Sequence, residues 1–485
     1  MKRIITLALA AAMVFSCVAF ASAATEVKMT GDARVWGNYR YQTNYTGWNS
    51  QGTQTQDSLT IWERFRLRTD FIANEGLKFR LGIRVNNKAW GNDTFTVDNP
   101  AASIDVYQAY LQFKVPGSEE VEFTVGYQDL DLPISAPGIF GSSPILGATQ
   151  GGAAVISATI NENFKAVGGF TRLVDTNKDF DTTTTQTGDE LDAYFVVLPI
   201  TVDGFSFTPW GVIGVAGRGA NYAGVGVGSS PRLNNQNLAN NLLSAGAANG
   251  IKHNQNMYWW IGGSVAVTAL DPFKFYGDIM YGSGMEDGHR ASKRAGWFLD
   301  LAAEYTGLDV MTPQVAFWYS SGEDKSTSNG SERMPTIRPA WGPSSSFLFD
   351  TPTQAFGQAY VGTNVVGNWG FALSLNKISF VQDLTHRLTF TWAQGTNAPR
   401  ALRNANLNWG VGNFMQMGRD LTWNEQVFAV NFDTQYNIYE NLAAIVETGW
   451  SHLYGAQKSV WGRKFVNQAN SGDAWKVAFG LQYKF

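Results

Sequence analysis

Apolar and polar residues alternate strictly along positions 64–85 of the chain. The odd positions are mainly Phe, Leu, Ile and Val, whereas the even positions include six Arg or Lys residues. A period of two predicts two half-buried strands rather than a helix. The residues at 73–76, Ala-Asn-Glu-Gly, interrupt the pattern and predict a hairpin turn. Like charges that share one face destabilise a sheet, so this hairpin is better suited to a sheet whose basic face lies in water.

The same alternation recurs along the chain and predicts 18 strands. The last twelve residues, AWKVAFGLQYKF, alternate fully and end on Phe485, as strands of bacterial outer-membrane barrels do. An even count agrees with a single-chain barrel, and 16 strands is the main alternative. The predicted strands are 27–41, 58–72, 77–85, 105–115, 121–128, 153–160, 164–173, 191–199, 205–216, 256–269, 273–283, 295–306, 309–321, 366–378, 384–395, 424–437, 441–452 and 474–485.

Short and long connections alternate between these strands. Short periplasmic turns and long extracellular loops produce this alternation in outer-membrane barrels. No linker interrupts residues 24–485, which are predicted to form one domain. The predicted short turns are 73–76, 116–120, 161–163, 200–204, 270–272, 307–308, 379–383 and 438–440. The predicted long loops are 42–57, 87–103, 129–152, 174–190, 217–255, 284–294, 322–365, 396–423 and 453–473.

The first 23 residues predict export. Lys2 and Arg3 precede an apolar stretch and an Ala-Ser-Ala cleavage site, which is typical of a signal peptide. An uncleaved N-terminal anchor is the alternative. Cys17 is the only cysteine and would be lost with the signal, so no disulfide is expected; attachment of lipid to Cys17 is a less favoured alternative.

Composition then favours a membrane barrel over other classes. Removing Lys2 and Arg3 changes the formal charge from −4 to −6, which argues against nucleic-acid binding. Aromatic residues make up 14% of the chain, yet no long apolar run follows the signal. A barrel strand faces lipid only at every second residue, so it needs no such run. The predicted fold is therefore an all-β transmembrane antiparallel barrel in the bacterial outer membrane.

The barrel hypothesis assigns a place to the basic face of 64–85. A cation on the lipid face at mid-depth costs about 2–4 kcal/mol, so these side chains are predicted to line the lumen. We interpret them as a basic wall that steers anions, although simple hydration of the wall is the alternative. The predicted wall consists of Arg34, Arg40, Arg64, Arg66, Arg68, Lys78, Arg80 and Arg84.

The third long loop is predicted to narrow the channel. It lies within YQDLDLPISAPGIFGSSPILGATQGG, residues 127–152, and contains seven Leu, Ile or Phe residues. Such an apolar loop is expected to leave water and fold into the barrel. Asp129 and Asp131 would then face the basic wall across a constriction. Packing between subunits is the alternative role for this loop.

Three segments carry a resemblance to known proteins. MTGDARVWGNYRYQTNY, YQDLDLPISAPGIFGSSP and the terminal LQYKF resemble the homotrimeric outer-membrane porins of sulfate-reducing bacteria. More broadly, the chain is similar to general diffusion porins of Gram-negative bacteria, which are usually shorter and 16-stranded. The resemblance implies a water-filled trimer that passes small hydrophilic solutes. It also implies contacts with outer-membrane lipid and lipopolysaccharide.

Other functions find less support in the sequence. The four histidines, His253, His289, His386 and His452, show no metal-binding or nucleophile spacing, so no enzyme is predicted. No cofactor is expected, although GEDKSTSNGSE at 322–332 is a candidate calcium-binding loop without a known ligand spacing. A substrate-specific channel for organic or inorganic anions or for sugars remains open, as does an adhesin. Anion preference is expected from the basic wall, but acidic groups such as Asp129 and Asp131 could reverse it.

Overall fold

A computed structural model shows the fold of the chain. It describes residues 25–42, 45, 58–91, 96–97, 102–175, 188, 190–217, 241–242, 253–284, 290–349, 353–356, 362–409, 417–469 and 472–485. The predicted signal peptide and His289 lie outside the described residues.

Eighteen antiparallel strands form one closed barrel, which confirms the predicted fold class and strand number. Each strand pairs with its neighbour in sequence, and β1 pairs with β18 to close the ring. The strands are β1 Glu26–Tyr41, β2 Ser58–Asn74, β3 Leu77–Ala89, β4 Asp105–Val115, β5 Ser118–Leu130, β6 Thr149–Asn161, β7 Phe164–Asp175, β8 Glu190–Val197 with Ile200–Val202, β9 Phe205–Gly217, β10 Gln255–Val267, β11 Phe273–Gly284, β12 Arg294–Tyr305, β13 Thr312–Ser320, β14 Asn368–Val381, β15 Leu384–Gly395, β16 Gln426–Tyr439, β17 Leu442–Tyr454 and β18 Asp473–Lys484.

Most strand bounds lie within a few residues of their predicted positions. Strand β2 begins at Ser58, directly after the loop predicted at 42–57, whereas β6 begins at Thr149, four residues before the predicted start at 153. Strand β8 is interrupted at 198–199 and resumes at Ile200, where a predicted turn was expected to begin. Pro199 has no backbone N–H to donate, which breaks the ladder at that point.

The two faces of the barrel differ as the alternation predicts. On β18, Val477, Phe479 and Leu481 are exposed on the outer face, with 37–51% of each residue accessible. The alternate residues Lys476 and Ala478 are fully buried inside. The chain end completes the closure, because Gly31 and Phe485 exchange backbone hydrogen bonds of 2.7 and 3.1 Å. The lipid-facing surface is therefore apolar and the polar atoms face the interior.

Short turns join the strands at one end and long connections at the other. In the first hairpin, Gly76 N–H donates to Asn74 Oδ1 at 2.8 Å, which closes the turn predicted at 73–76. Where the structure describes them, the long connections contain four helices: α1 Pro137–Phe140, α2 Pro399–Trp409, α3 Lys458–Trp461 and α4 Arg463–Ala469. Within the described part of the chain, no helix is long and apolar enough to span a membrane.

Candidate pore constriction

One carboxylate lies at the centre of the basic face of β1 and β2. Asp32 is only 4% exposed and forms ion pairs with Arg34, Arg64 and Arg66 at 3.3, 2.8 and 2.6 Å. The strand register causes this convergence, since Arg64 lies directly opposite Arg34 and Arg66 directly opposite Asp32. One negative charge therefore meets three positive charges, and the cluster keeps a net positive charge.

Two further arginines extend this cluster onto β3 and along β2. Arg84 lies opposite Arg66 and places its guanidinium 5.2 Å from the Tyr107 ring centroid. Its nearest carboxylate, Asp105, is 3.9 Å away, a distance at which pairing is weak. Arg68 lies two residues from Arg66, on the same face of β2. We call Arg34, Arg64, Arg66, Arg68 and Arg84 the basic patch.

The other three predicted wall residues lie apart from this patch or are neutralised. Arg80 forms a two-pronged pair with Asp70, with donor–acceptor distances of 2.6 and 2.7 Å. Lys78 lies opposite Ile72 and Gln112 near the short turns, and Arg40 lies opposite Ser58 toward the long loops. The structure thus brings five of the eight predicted cations together.

The third loop crosses the lumen. Its two acidic residues, Asp129 and Asp131, accept hydrogen bonds from nearby residues and do not form the predicted contact with the basic wall. Asp131 accepts hydrogen bonds from Ser142 Oγ at 2.6 Å and from Ser143 N at 3.2 Å, both in the loop itself. Asp129 accepts hydrogen bonds from the side-chain amides of Gln108 and Gln150. The carboxylate at the centre of the basic patch is instead Asp32, whose pairing role the sequence pattern did not reveal.

The tip of the third loop is anchored on the wall across the barrel. Ser135 donates to Asp278 on β11 through its backbone N–H at 2.9 Å and its hydroxyl at 2.6 Å. In a ring of 18 strands, β11 is nine strands away from β2, so this anchor lies opposite the basic patch. The apolar residues Ile139, Phe140 and Ile145 are buried, as the loop's composition predicts.

A second inward segment is paired with the third loop. Ile337 N–H and Arg338 N–H donate to Ile145 O at 2.9 Å, and Ser344 N–H donates to Ile139 O at 2.6 Å. Phe140 also stacks on Trp341 with ring centroids 5.6 Å apart. We call residues 337–349 and 353–356 the strap. These residues lie within the long loop predicted at 322–365, for which no entry into the lumen was predicted.

The strap follows the inner wall from β12 to β18. Strands β12 and β14 to β18 each supply at least one polar side chain that binds it. Trp341 Nε1 donates to Asp300 on β12 at 2.8 Å, and Ser344 Oγ donates to Ser374 on β14 at 2.9 Å. The further contacts are Ser345 with Thr389 on β15, Phe347 N–H with Asn431 on β16, Phe356 N–H with Glu447 on β17, and Gln354 with Lys476 on β18.

Buried charges hold the end of the strap beside the basic patch. Lys476 and Glu447 form an ion pair of 2.9 Å in which both side chains are almost fully buried. Arg34 donates to the carbonyl oxygen of Ala355, and Phe356 stacks on Trp36 with ring centroids 5.6 Å apart. The strap therefore ends against β1, at the edge of the basic patch.

Together these contacts define a layered site. The third loop and the strap form one continuous layer over the inner face from β11 to β18, and the basic patch lies on β1 to β3. This arrangement can bring a solute close to guanidinium groups on one side and to a fixed loop layer on the other. An apolar run in the strap, Ser-Phe-Leu-Phe at 346–349, was the sequence signal that could have revealed it.

No further chemical site is evident in the described residues. They contain no cluster of three or more His, Cys, Asp or Glu residues that could hold a metal ion. In the candidate calcium loop, Asp324 and Glu332 instead receive hydrogen bonds from Asn329. His386 stacks on Phe432, with its Nδ1 2.9 Å from the Thr434 hydroxyl.

Comparison with solved structures finds the same fold in outer-membrane proteins. The outer membrane protein OprD from Pseudomonas aeruginosa aligns with a TM-score of 0.52 and 11% identity, over 96% of each chain. OccK2 (OpdF) from the same organism, solved in complex with glucuronate, aligns with a TM-score of 0.53 and 10% identity, over 95% of this chain and 98% of its own. OpdL aligns with a TM-score of 0.52 and 12% identity, over 95% and 99%.

These likenesses concern the fold. Comparisons with protein-family models and with curated proteins found no match. The predicted barrel and its predicted location in the bacterial outer membrane agree with the fold of these neighbours and with the apolar outer surface.

Proposed function

We propose that the chain forms an outer-membrane channel through which small hydrophilic solutes diffuse passively, with a preference for anions. The observation that carries this proposal is the convergence of Arg34, Arg64 and Arg66 on the single carboxylate of Asp32. The basic patch keeps an excess of positive charge on the wall opposite the third-loop anchor. Fixed charge of one sign in a cleft concentrates counter-ions and repels co-ions.

The sequence and the fold support this reading independently. The proposed path runs between the basic patch and the layer formed by the third loop and the strap. Ordered loops that reduce the width of a water-filled barrel favour small solutes over large ones. A polar lumen wall also disfavours apolar solutes, because they cannot replace the hydrogen bonds of the water they displace.

Planar-bilayer recording of the purified protein across a potassium chloride gradient tests the proposal. We expect stable conducting units with a zero-current potential displaced toward the chloride equilibrium value. A barrel that conducts without ion preference, or that prefers cations, would remove the proposed role of the basic patch. Absence of both conductance and liposome swelling by small sugars would instead indicate a closed barrel, such as an adhesin.

A substrate-specific channel for organic anions is the second candidate, and the strap favours it. A general pore gains nothing from a second inward segment that one polar side chain on each of several strands fixes in place. OccK2, one of the structural neighbours, was solved in complex with glucuronate. Saturable current block by glucuronate, with little block by uncharged glucose at the same concentration, would favour this candidate. Equal and weak effects of the two sugars would favour general diffusion.

We propose further that the protein is a homotrimer, as the resemblance to porins of sulfate-reducing bacteria implies. Size-exclusion chromatography with light scattering in mild detergent measures this directly. A protein mass near three times 53.2 kDa, less the signal peptide, is the expected result. A mass of one chain would leave the channel proposal intact and refute the trimer.

A further inference from the structure

Two aspartates face each other on the inner wall, beneath the third loop and the strap. Asp278 on β11 lies directly opposite Asp300 on β12, and the two residues are 1% and 0% exposed. Their side chains are hydrogen-bonded to each other. An ionised carboxylate can only accept a hydrogen bond, so a bond between two carboxyl groups needs a proton on one of them. The two aspartates therefore share one proton, and we call them the carboxyl pair.

The donors around the carboxyl pair indicate where this proton lies. Asp278 accepts hydrogen bonds from the backbone N–H and the hydroxyl of Ser135 at 2.9 and 2.6 Å. Asp300 Oδ2 accepts one from Trp341 Nε1 at 2.8 Å. Asp300 Oδ1 is buried, and no donor reaches it from the described residues. A buried oxygen without a donor carries a desolvation cost unless it bears the proton itself, so Asp300 donates to the carboxylate of Asp278.

No cation of the described chain is placed to take over the role of this proton. The flanking strands β10 and β13 contain no charged residue, and they place Ser264 opposite Asp278 and Trp318 opposite Asp300. Two carboxylates side by side in a dry site repel each other, so the pair cannot ionise fully while it stays together. The ionisable groups on the inner face of the surrounding elements have partners of their own: Tyr276 and Lys274 with Glu304, Tyr258 with the carbonyl oxygen of Leu242, Arg294 with those of Arg333 and Met334, Arg338 with that of Ala148, and Asp131 with Ser142.

Each member of the carboxyl pair holds a different inward segment. Asp278 fixes Ser135 in the third loop, and Asp300 fixes Trp341 in the strap. The two segments also contact each other there, because Phe140 stacks on Trp341. If the shared proton leaves, repulsion separates the carboxylates and draws water between them, which weakens both anchors together. The pair thus connects one proton with the position of the loop layer.

We propose that the carboxyl pair is a proton-operated lock on the loop layer, which keeps the third loop and the strap against the wall while it holds its proton and releases them at high pH. Release widens the path between this layer and the basic patch, an effect that rests on the proposed channel function. The direction follows from proton linkage. Free aspartates in water release their protons at about pH 4, so the docked layer binds one more proton than the released layer. Low pH therefore favours the docked layer, and rising pH favours release.

The first experiment records the single-channel conductance of the purified full-length protein from pH 5 to pH 10. A concentration of 1 M potassium chloride screens the basic patch, so that its charge contributes little to any change. Asp300→Asn keeps the shape and both hydrogen bonds, since the amide can donate to Asp278 and accept from Trp341, but it has no proton to lose. Asp309→Asn, at an exposed position in the short turn after β12, is the matched control.

The wild type and Asp309→Asn should each gain about twofold or more in conductance as the pH rises, because release of an ordered loop opens the path. Asp300→Asn should keep the low-pH conductance throughout. Asp278→Asn removes the shared proton in the same way and should also lose the rise. A wild-type conductance that does not change with pH, or a rise that persists in either of these two Asn variants, would overturn the proposal.

Two further measurements do not depend on conduction, so they separate a failure of the lock from a failure of the proposed channel. Infrared difference spectra between the wild type and Asp300→Asn at pH 7 should show the carbonyl band of one protonated carboxyl group in the wild type. A spin label on Gly138→Cys, an exposed third-loop position with no other atom within 4 Å of its Cβ, should become more mobile as the pH rises, but not when Asp300→Asn is also present. Absence of the band, or a label whose mobility does not respond to pH, would refute the lock even in a barrel that conducts.

Discussion

Replacing Arg64, Arg66 and Arg84 with Ala should reduce the anion preference of the channel. The basic patch has five guanidinium groups, and the carboxylates of Asp32 and Asp105 reduce its net charge to +3. The triple variant keeps two guanidinium groups and both carboxylates, which gives a net charge of zero. Arg34 remains as the ion-pair partner of the buried Asp32 in this variant, so the barrel should still close.

The size of the effect follows from Coulomb's law in water. An anion that passes roughly 7 Å from each guanidinium gains about 0.6 kcal/mol per charge before screening. At 0.1 M salt, where the Debye length is about 10 Å, screening reduces the total for three charges to about 1 kcal/mol. A cation at the same distance gains the energy that the anion loses, so the ratio of anion to cation permeability should fall about 30-fold. At 1 M salt the Debye length is only about 3 Å, and the change should be under about twofold.

The assay is the zero-current potential across a salt gradient, recorded near 0.1 M and again near 1 M. A double change of Arg172→Ala with Asp192→Asn is the matched control, because it removes an ion pair of 2.8 Å on β7 and β8 without altering the net charge. The control should behave like the wild type at both salt concentrations. An unchanged permeability ratio in the triple variant at 0.1 M would refute the assignment of these arginines to the conduction path.

Three further predictions concern the loop layer. Lys476→Met leaves Glu447 buried without its ion-pair partner, which should cost about 3–5 kcal/mol of stability. The melting temperature in detergent should fall accordingly. The double variant Lys476→Met with Glu447→Gln should recover part of the lost stability. Trp341→Ala removes a buried strap ring that stacks on Phe140 of the third loop, so it should destabilise the layer by about 3–5 kcal/mol. Single-channel conductance should rise. Unchanged conductance would show that the strap does not narrow the conduction path. Burial raises the pKa of Glu425 from 4.5 to about 7, so the folded protein retains a proton that the unfolded chain releases. Stability should therefore be highest below pH 4.5 and fall by about 3 kcal/mol as the pH rises to 7, and Glu425→Gln should abolish this pH dependence of the melting temperature.

The barrel was predictable because lipid imposes a rule on every second residue. Each outward position must be apolar, so strands such as β18 alternate visibly along the chain and match their predicted bounds closely. The third loop was predictable for a related reason, since its apolar residues could not remain in water. Strand starts such as Thr149 were missed because, near the long loops, polar residues are tolerated on both faces.

The partners within the lumen were not predictable from periodicity. An alternation states which face a residue occupies, but it does not state which residue on the next strand lies opposite. The alternation puts Asp32 on the same face of β1 as Arg34, yet its position opposite Arg66 depends on the register of β1 against β2. The same limit applies to Arg80, which the pattern groups with the other cations although Asp70 neutralises it.

The strap shows a different limit, because its binding partners are spread over seven strands. Arg34 and Ala355 are 321 residues apart, and Gln354 and Lys476 are 122 apart. No local pattern in 337–356 encodes these contacts; each requires a donor or acceptor that the closed ring brings to the same height. Ring closure must therefore precede or accompany docking of the strap, and a loop layer assembled in this way can be altered by single substitutions without opening the barrel. The constriction is for that reason the part of the molecule in which solute preference can change while the outer wall stays the same.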